Sequence, residues 1–426
     1  MRSTMRLPGL IETPAGWAWL FGFMLIFWAP LPGEQRLPAI FLAILGIWLH
    51  FRHREDVAIF PGMREMRTTL ALLILPCLAS LPFSLAPRDT LGILLVLITF
   101  HWIGLAILAG LAGKPPRWML LALAATLCFW AVDALVQWVF GVDFLGVPRA
   151  PSGRLLGIFG DNQRLGFMLG VMMPLVILPL VRDRPYTAMA CYGFLAFIVG
   201  LVGSRAAMVF AVLAGAVLLY RLPGWRHRLG LLSAGLAILA AAILLSPIHS
   251  QRILERNYTA YLDNPAYSRG EALFLQVDDF LSGRLKIWST AGNMFLARPL
   301  TGVGAGAFDE AYDRYSTRPD DQFTARGGYP GGVYHAHQLY VSSAAETGLV
   351  GLACLAAMIA YLVRWYRRLP PQGREHAAPY AYSLLIAFFP FNSQHGIYIG
   401  WWFMTLFFLL CAMLAAGERG RAEASS

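Results

Sequence analysis

Twelve predominantly apolar stretches follow one another along this chain, and their length decides what it can fold into. About 20 apolar residues carry a helix across a bilayer. Only helices and closed barrels satisfy every backbone N–H and C=O in hydrocarbon. The first five stretches are Pro14–Leu31, Leu37–Phe51, Thr68–Leu85, Thr90–Ala112 and Arg117–Phe140. Four more are Leu165–Val181, Tyr186–Gly203, Ser204–Tyr220 and Leu229–Ile248, and the last three are Leu339–Tyr366, Pro379–Tyr398 and Trp401–Ala416. Hydrophobic residues make up 58% of the sequence and charged ones 14%, with a mean hydropathy of +0.57. Soluble domains run near a quarter charged. The expected fold class is therefore an all-α polytopic membrane protein of about twelve transmembrane helices.

Basic residues orient the bundle. Nineteen arginines and lysines, from Arg2 to Arg421, fall in one set of connections, whereas the opposite short loops hold Arg36, Arg88, Arg149, Arg154, Arg164 and Arg205. The positive-inside rule puts the rich side in the cytoplasm, with both termini, and the other loops outside. The net charge of +10 thus reflects topology, and no soluble basic domain is present to bind nucleic acid. Four segments follow: 1–248 with nine spans, 249–338 as one long external loop, 339–418 with three spans, and 419–426 as a cytoplasmic tail.

A polar loop of this length is no plain connector, since helices in bundles are usually joined by two to eight residues. Its apolar positions Leu285, Trp288, Met294 and Phe295 suit an amphipathic helix against the membrane or the bundle. All five cysteines (Cys77, Cys128, Cys191, Cys354, Cys411) lie in apolar stretches, so no disulfide staples the loop, and no Cys/His cluster suggests zinc. No internal repeat supports an inverted-repeat transporter.

Several side chains can carry chemistry. Arg205 follows Gly203-Ser204 at the external start of the eighth span, where Ser204 can cap and free N–H groups attract anions. A cation there opposes the helix dipole, so stability does not recommend it. Arg284 follows Gly283, which lets backbone approach a ligand closely. The alternatives are interfacial snorkelling to headgroups for Arg205 and the solvated face of an amphipathic helix for Arg284. His335 and His337 precede the tenth span, and histidine is the natural base near neutral pH. The pairs Asp278-Asp279 and Asp320-Asp321 lack an Asp-x-Asp arrangement and read as a solvated face, so no metal site is expected. Asp133 and Glu346, inside or near spans, are expected to pair with arginines. The loop 141–164, with Arg149, Arg164, Asp161, Asn162 and Gln163, reads equally as an external cap or as a polar vestibule in which Arg154 is a further candidate anion contact.

These elements together resemble the O-antigen ligase/polymerase superfamily of bacterial envelope glycosyltransferases. The residues that carry the resemblance are Gly203-Ser204-Arg205-Ala206-Ala207, Ser282-Gly283-Arg284-Leu285-Lys286-Ile287-Trp288 and Arg298-Pro299-Leu300-Thr301-Gly302-Val303-Gly304-Ala305-Gly306-Ala307-Phe308. His335-Ala336-His337-Gln338-Leu339-Tyr340 and Glu346-Thr347-Gly348-Leu349-Val350-Gly351-Leu352 complete the set, in order around one long loop.

The resemblance implies a fold similar to the membrane-embedded GT-C glycosyltransferases and a metal-independent, inverting transfer without a cofactor. The donor would be polysaccharide on undecaprenyl pyrophosphate and the acceptor a sugar hydroxyl of lipid A–core, at the periplasmic face of the inner membrane. The family's arginines and histidine carry over to Arg205, Arg284 and His337. His335 stands where many relatives have another residue, which makes it the alternative base. Guanidiniums suit a departing pyrophosphate because their planar fork matches phosphate oxygens. An O-antigen polymerase or a protein O-oligosaccharyltransferase would share the donor and differ in the acceptor. A lipid-linked sugar flippase or other transporter would need ionisable groups spread through the midplane, and ranks last.

Overall fold

The computed structural model describes residues 12–31, 33, 35–53, 60–112, 116–160, 163–246, 261–324, 333, 335–391 and 395–425. Among these, regular structure is helical and no β-strand forms. The sequence features at Arg2, Arg6, Arg54, Lys114, Asp161, Asn162 and Tyr334, and the loop residues 247–260 and 325–332, lie outside the described residues.

Each of the twelve apolar stretches falls on a helix. They are α1 (Glu12–Phe27), α2 (Arg36–Arg52), α3 (Met63–Ser80), α4 (Pro87–Ala112), α5 (Pro116–Phe140), α6 (Leu165–Val181), α7 (Pro185–Val202), α8 (Arg205–Arg221) and α9 (Trp225–Leu245). The long loop contributes α10 (Arg269–Phe280), α11 (Arg284–Ala297) and α12 (Phe308–Tyr315). The chain closes with α13 (Leu339–Arg368), α14 (Pro371–Ala387) and α15 (Gly400–Ser425). By length and composition, six are able to cross a membrane: Met63–Phe83, Pro87–Ala112, Arg117–Phe140, Pro185–Val202, Leu339–Arg368 and Gly400–Ser425. Pro14–Phe27 and Leu165–Val181 are apolar but shorter. The chain is thus a polytopic, all-helical membrane protein. Its central helix α6, buried along most of its length, packs against α5, α7, α8 and α14.

The eleventh stretch departs from expectation. A span over 379–398 was expected, but α14 begins at Pro371 and stops at Ala387. Pro390 has no N–H to continue the ladder and biases Phe389 away from helical backbone. Residues 388–391 and 395–399 are accordingly non-helical. At the other end α15 continues past Ala416, held by the pairs Arg419–Glu423 (3.2 Å) and Arg421–Glu418 (2.8 Å) at helical spacing.

The loop is wedged into α13. Helical geometry would join the N–H groups of Leu349 and Val350 to the carbonyls of Ala345 and Glu346. Instead they donate to Pro299 (2.8 Å) and Leu300 (3.2 Å), while Val303 and Gly304 donate to Ala345 and Glu346 (2.9 Å each). The break sits at Gly348, with φ 62° and ψ −153°, a region essentially open to glycine alone. A Cβ there would lie 2.5 Å from Leu300 and 2.6 Å from the Pro299 carbonyl. The same segment reaches the α3–α4 connection, where Leu85 donates to Val303 (2.8 Å) and Thr90 Oγ1 to the Ala305 carbonyl (2.8 Å).

Gly348→Ala is expected to lower the thermal midpoint of the detergent-solubilised protein. Left-handed strain contributes about 1–3 kcal/mol, and the overlap with Leu300 adds to it. An unchanged midpoint in a thermal-aggregation assay would mean that the wedge does not hold the helix.

Candidate functional site

Arg205 owes its position to the tight reversal between α7 and α8. Gly203 takes φ 76°, and Ser204 caps α8, its Oγ accepting from the Ala207 N–H at 3.4 Å. Arg205 is then the first residue of α8. Its guanidinium donates to the Phe280 carbonyl and, at 2.6 Å, to Ser282 Oγ, with Cζ 5.2 Å from the Phe280 ring centroid.

The turn it grasps is built by Ser282 and Gly283, both left-handed at φ 60° and 82°. Gly283 has no substitute here, because a Cβ would lie 2.6 Å from the Phe323 ring. Asp278 secures the turn: its carbonyl accepts from Gly283 (2.8 Å) and its carboxylate from the Lys286 N–H (3.1 Å). Arg284 opens α11 and donates Nη1 to the Leu281 carbonyl at 3.0 Å. Two arginines, far apart in sequence, therefore meet on one turn, each at a helix N-terminus where the dipole favours anions.

The histidines lie beside Arg284. Trp288 of α11 donates Nε1 to the Ala336 carbonyl (2.9 Å), and the Ala336 N–H donates to Ser342 Oγ (3.1 Å). Gln338 caps α13, accepting from the Val341 N–H at 2.7 Å, and its amide donates to the Pro390 carbonyl at 2.7 Å. Between these anchors His337 sits at φ 53°, its N–H donating to His335 Nδ1 at 2.9 Å. His335 Nε2 faces His395 Nδ1 at 3.1 Å. Burial, opposed by a backbone hydrogen bond and reinforced by the charge of Arg284, holds the His335 pKa down to about 4. Burial, then His335 and Arg284, holds His337 down to about 3. Burial and the neighbouring histidines and arginines, Arg164 among them, push His395 in the same direction.

His395 escaped the sequence analysis because Pro379–Tyr398 reads as one span. The run Asn392-Ser393-Gln394-His395 behind Pro390 was the available signal, since four polar residues in succession do not belong in hydrocarbon. Arg164, at the foot of α6, lies over the Trp401 ring at 4.7 Å. Arg154 is engaged elsewhere in its loop, donating to the Gln163 side-chain oxygen.

The acids have different partners from those expected. Asp278 and Asp321 are 5% and 2% exposed, so they are no solvated face. Asp321 accepts from Tyr312 (3.0 Å), Ser316 (2.7 Å) and the Phe323 N–H (3.0 Å), and Asp320 pairs with Lys286 (3.0 Å) and Arg318 (3.0 Å). Asp133 and Glu346 are held by backbone rather than by arginine. Asp133 accepts from the N–H groups of Phe144 (2.8 Å) and Ile158 (2.6 Å), and Glu346 from Gly306 (2.9 Å). A buried carboxylate beside free N–H groups needs no guanidinium. Among the described residues, no group of three or more His, Cys, Asp or Glu is arranged to hold a metal ion.

Residues 190–356 match the family described as O-antigen ligase, a stretch that runs from within α7 past the break in α13 and supports membership of the O-antigen ligase superfamily. It contains Arg205, Arg284, His335 and His337, and it excludes Arg164 and His395. No curated protein sequence matches the chain.

The imidazoles of His335 and His337 are expected to stay neutral down to about pH 4 and pH 3, whereas an unperturbed histidine titrates near 6.5. Nitrogen-15 chemical shifts of histidine-labelled protein, followed as pH falls, measure this. A midpoint near 6.5 for both would mean that they are not buried against Arg284.

Proposed function

We propose that this chain is an O-antigen ligase, a metal-independent, inverting glycosyltransferase of the bacterial inner membrane. It would move polysaccharide from undecaprenyl pyrophosphate to a sugar hydroxyl of lipid A–core at the periplasmic face. In this reading all twelve apolar helices span the membrane in a GT-C-like bundle, with both termini cytoplasmic. The observation that supports it most is the meeting of Arg205 and Arg284 on the turn at residues 280–282, next to neutral histidines.

The chemistry follows from the charges. The acceptor oxygen forms a bond to the anomeric carbon as the bond from that carbon to the pyrophosphate oxygen breaks, and configuration inverts. The leaving group takes the bonding electrons, and its growing negative charge falls to Arg205 and Arg284, with Arg164 as a third cation near the histidines. Arg154 stays a candidate contact further along the α5–α6 loop. His337 takes the hydroxyl proton, with His335 as the alternative base. A base held at about 3 is weak in the empty enzyme. Donor binding offsets the field of Arg284 and raises its proton affinity where and when the proton must move.

An O-antigen polymerase or a protein O-oligosaccharyltransferase is the second reading, because the same arginines and histidine would serve any hydroxyl acceptor. Reconstitution in liposomes with undecaprenyl-linked polysaccharide separates them. Transfer to lipid A–core, undiminished in EDTA, is expected, and transfer only to a pilin-like protein or to a second polysaccharide would replace the ligase reading. His337→Ala should abolish transfer while the protein still inserts. Arg284→Lys keeps the charge but loses the fork, and kcat should fall by roughly a hundred- to a thousandfold. Wild-type rates in either variant would remove that residue from the mechanism.

A further inference from the structure

His395 has no role in the scheme so far, and its surroundings are too ordered to be incidental. Its ring lies 4.9 Å from Trp401, 5.2 Å from Phe167 and 6.1 Å from Trp402, centroid to centroid, so α6 and the start of α15 clamp it. The connection that carries it is pinned to the segment around His337. Gln338 donates to the Pro390 carbonyl (2.7 Å), and the Tyr340 hydroxyl to the Phe388 carbonyl (2.7 Å). A Cβ on Gly396 would lie 3.4 Å from Ser342 Oγ and 3.7 Å from the His335 Cβ, which shows how close the two segments come.

We propose that His395 is a positioning residue: acting through His335, it fixes the backbone and orientation of His337 for proton abstraction. The inference rests on the reading of His337 as the base, and it says how that base is held.

The hydrogen bonds leave one arrangement of protons. The His337 N–H can only donate, so His335 Nδ1, 2.9 Å away, carries no proton. A neutral imidazole holds one N–H, which must then be on His335 Nε2. That nitrogen lies 3.1 Å from His395 Nδ1, which accepts, and the proton of His395 is left on its own Nε2. The chain runs in one direction, from the His337 backbone through two rings. Protonating His335 at Nδ1 would remove the acceptor on which the His337 N–H depends. The depressed pKa of His335 agrees with a ring kept neutral for this purpose.

The acceptor matters because His337 stands at φ 53°. Side chains with a Cβ adopt that region at an energetic cost, and they stay there only when surrounding bonds over-determine them. Without His395, His335 Nε2–H has no acceptor among the described residues, and the ring gains by turning or by moving its proton to Nδ1. Either change releases the His337 amide. Even a displacement of about 1 Å at a reacting group can slow the chemistry by about a hundredfold.

The test compares two substitutions in the full-length protein. His395→Phe preserves a ring against Trp401 and Phe167 but removes the acceptor. His395→Asn places a carbonyl oxygen near the former Nδ1. Expected for His395→Phe is a fall in kcat of about ten- to a hundredfold with the donor KM nearly unchanged, and for His395→Asn a return of most of that turnover. Wild-type kcat in His395→Phe, or equal loss in both variants, would overturn the proposal. Nitrogen-15 spectra of histidine-labelled protein give a readout independent of transfer. His335 should carry its proton on Nε2 in the wild type and in His395→Asn, and lose that single state in His395→Phe. A wild-type His335 protonated on Nδ1 would overturn the chain of bonds outright. If the wild type transfers polysaccharide to no acceptor, the ligase reading fails, and the spectra still decide whether His395 orders His337.

Discussion

The fold depends on the way the long loop repairs a helix that it also breaks. An interruption in a membrane helix exposes carbonyls and amides in a medium that offers them no water. Segment 299–304 supplies the missing partners: two loop carbonyls accept from Leu349 and Val350, and two loop amides donate to Ala345 and Glu346. Two ladder bonds are exchanged for four, and the loop becomes part of the bundle wall. Gly306 adds a bond to the Glu346 carboxylate. The glycine-rich run and the Glu-Thr-Gly run are the two halves of this joint.

The joint sets the geometry of the candidate site. It fixes the end of α11 against α13, so the start of α11 brings Arg284 and Trp288 against the residues that lead into α13. Trp288 holds the Ala336 carbonyl, and Arg284 lends its field to all three histidines. The other end of α11 is anchored to α8 through Arg205 and the turn at residues 280–282. One short helix thus ties a reversal between two membrane helices to the entry of a third.

Much of this was legible in the sequence, and for definite reasons. Apolar runs of the right length must be helices in a bilayer, so every expected stretch found one. Ser204 caps α8 because its hydroxyl sits one turn before the free amides. Arg205 and Arg284, from two separate motifs, meet on one turn. What was hidden depended on non-local geometry. Pro379–Tyr398 has the hydropathy of a span, and only Pro390 and the polar residues after it betray a connection. Asp133 and Glu346 looked like partners for arginine because sequence shows side chains and not the loose backbone amides of a neighbouring loop. The paired aspartates looked exposed, yet Asp278 and Asp321 are buried as the supports of turns. Backbone hydrogen bonding across long sequence separations has no local signature.

The anchoring of the buried acids distinguishes an enzyme from a transporter. A carrier of charged lipid-linked sugars needs ionisable side chains that can exchange partners along a path through the bundle. Asp133 and Glu346 are the acids within α5 and α13, and both are occupied by loop amides at the end of the bundle that bears the long loop. Releasing either would undo a connection: the α5–α6 loop in one case, the α13 joint in the other. Their hydrogen bonds are therefore structural and stationary. The arginines and histidines gather at that same end, on elements tied to each other by side chains that hydrogen-bond to backbone carbonyls. Such an arrangement suits a fixed field, aligned once and used at every turnover, as electrostatic catalysis requires. A path that must open and close would have to break those bonds in every cycle.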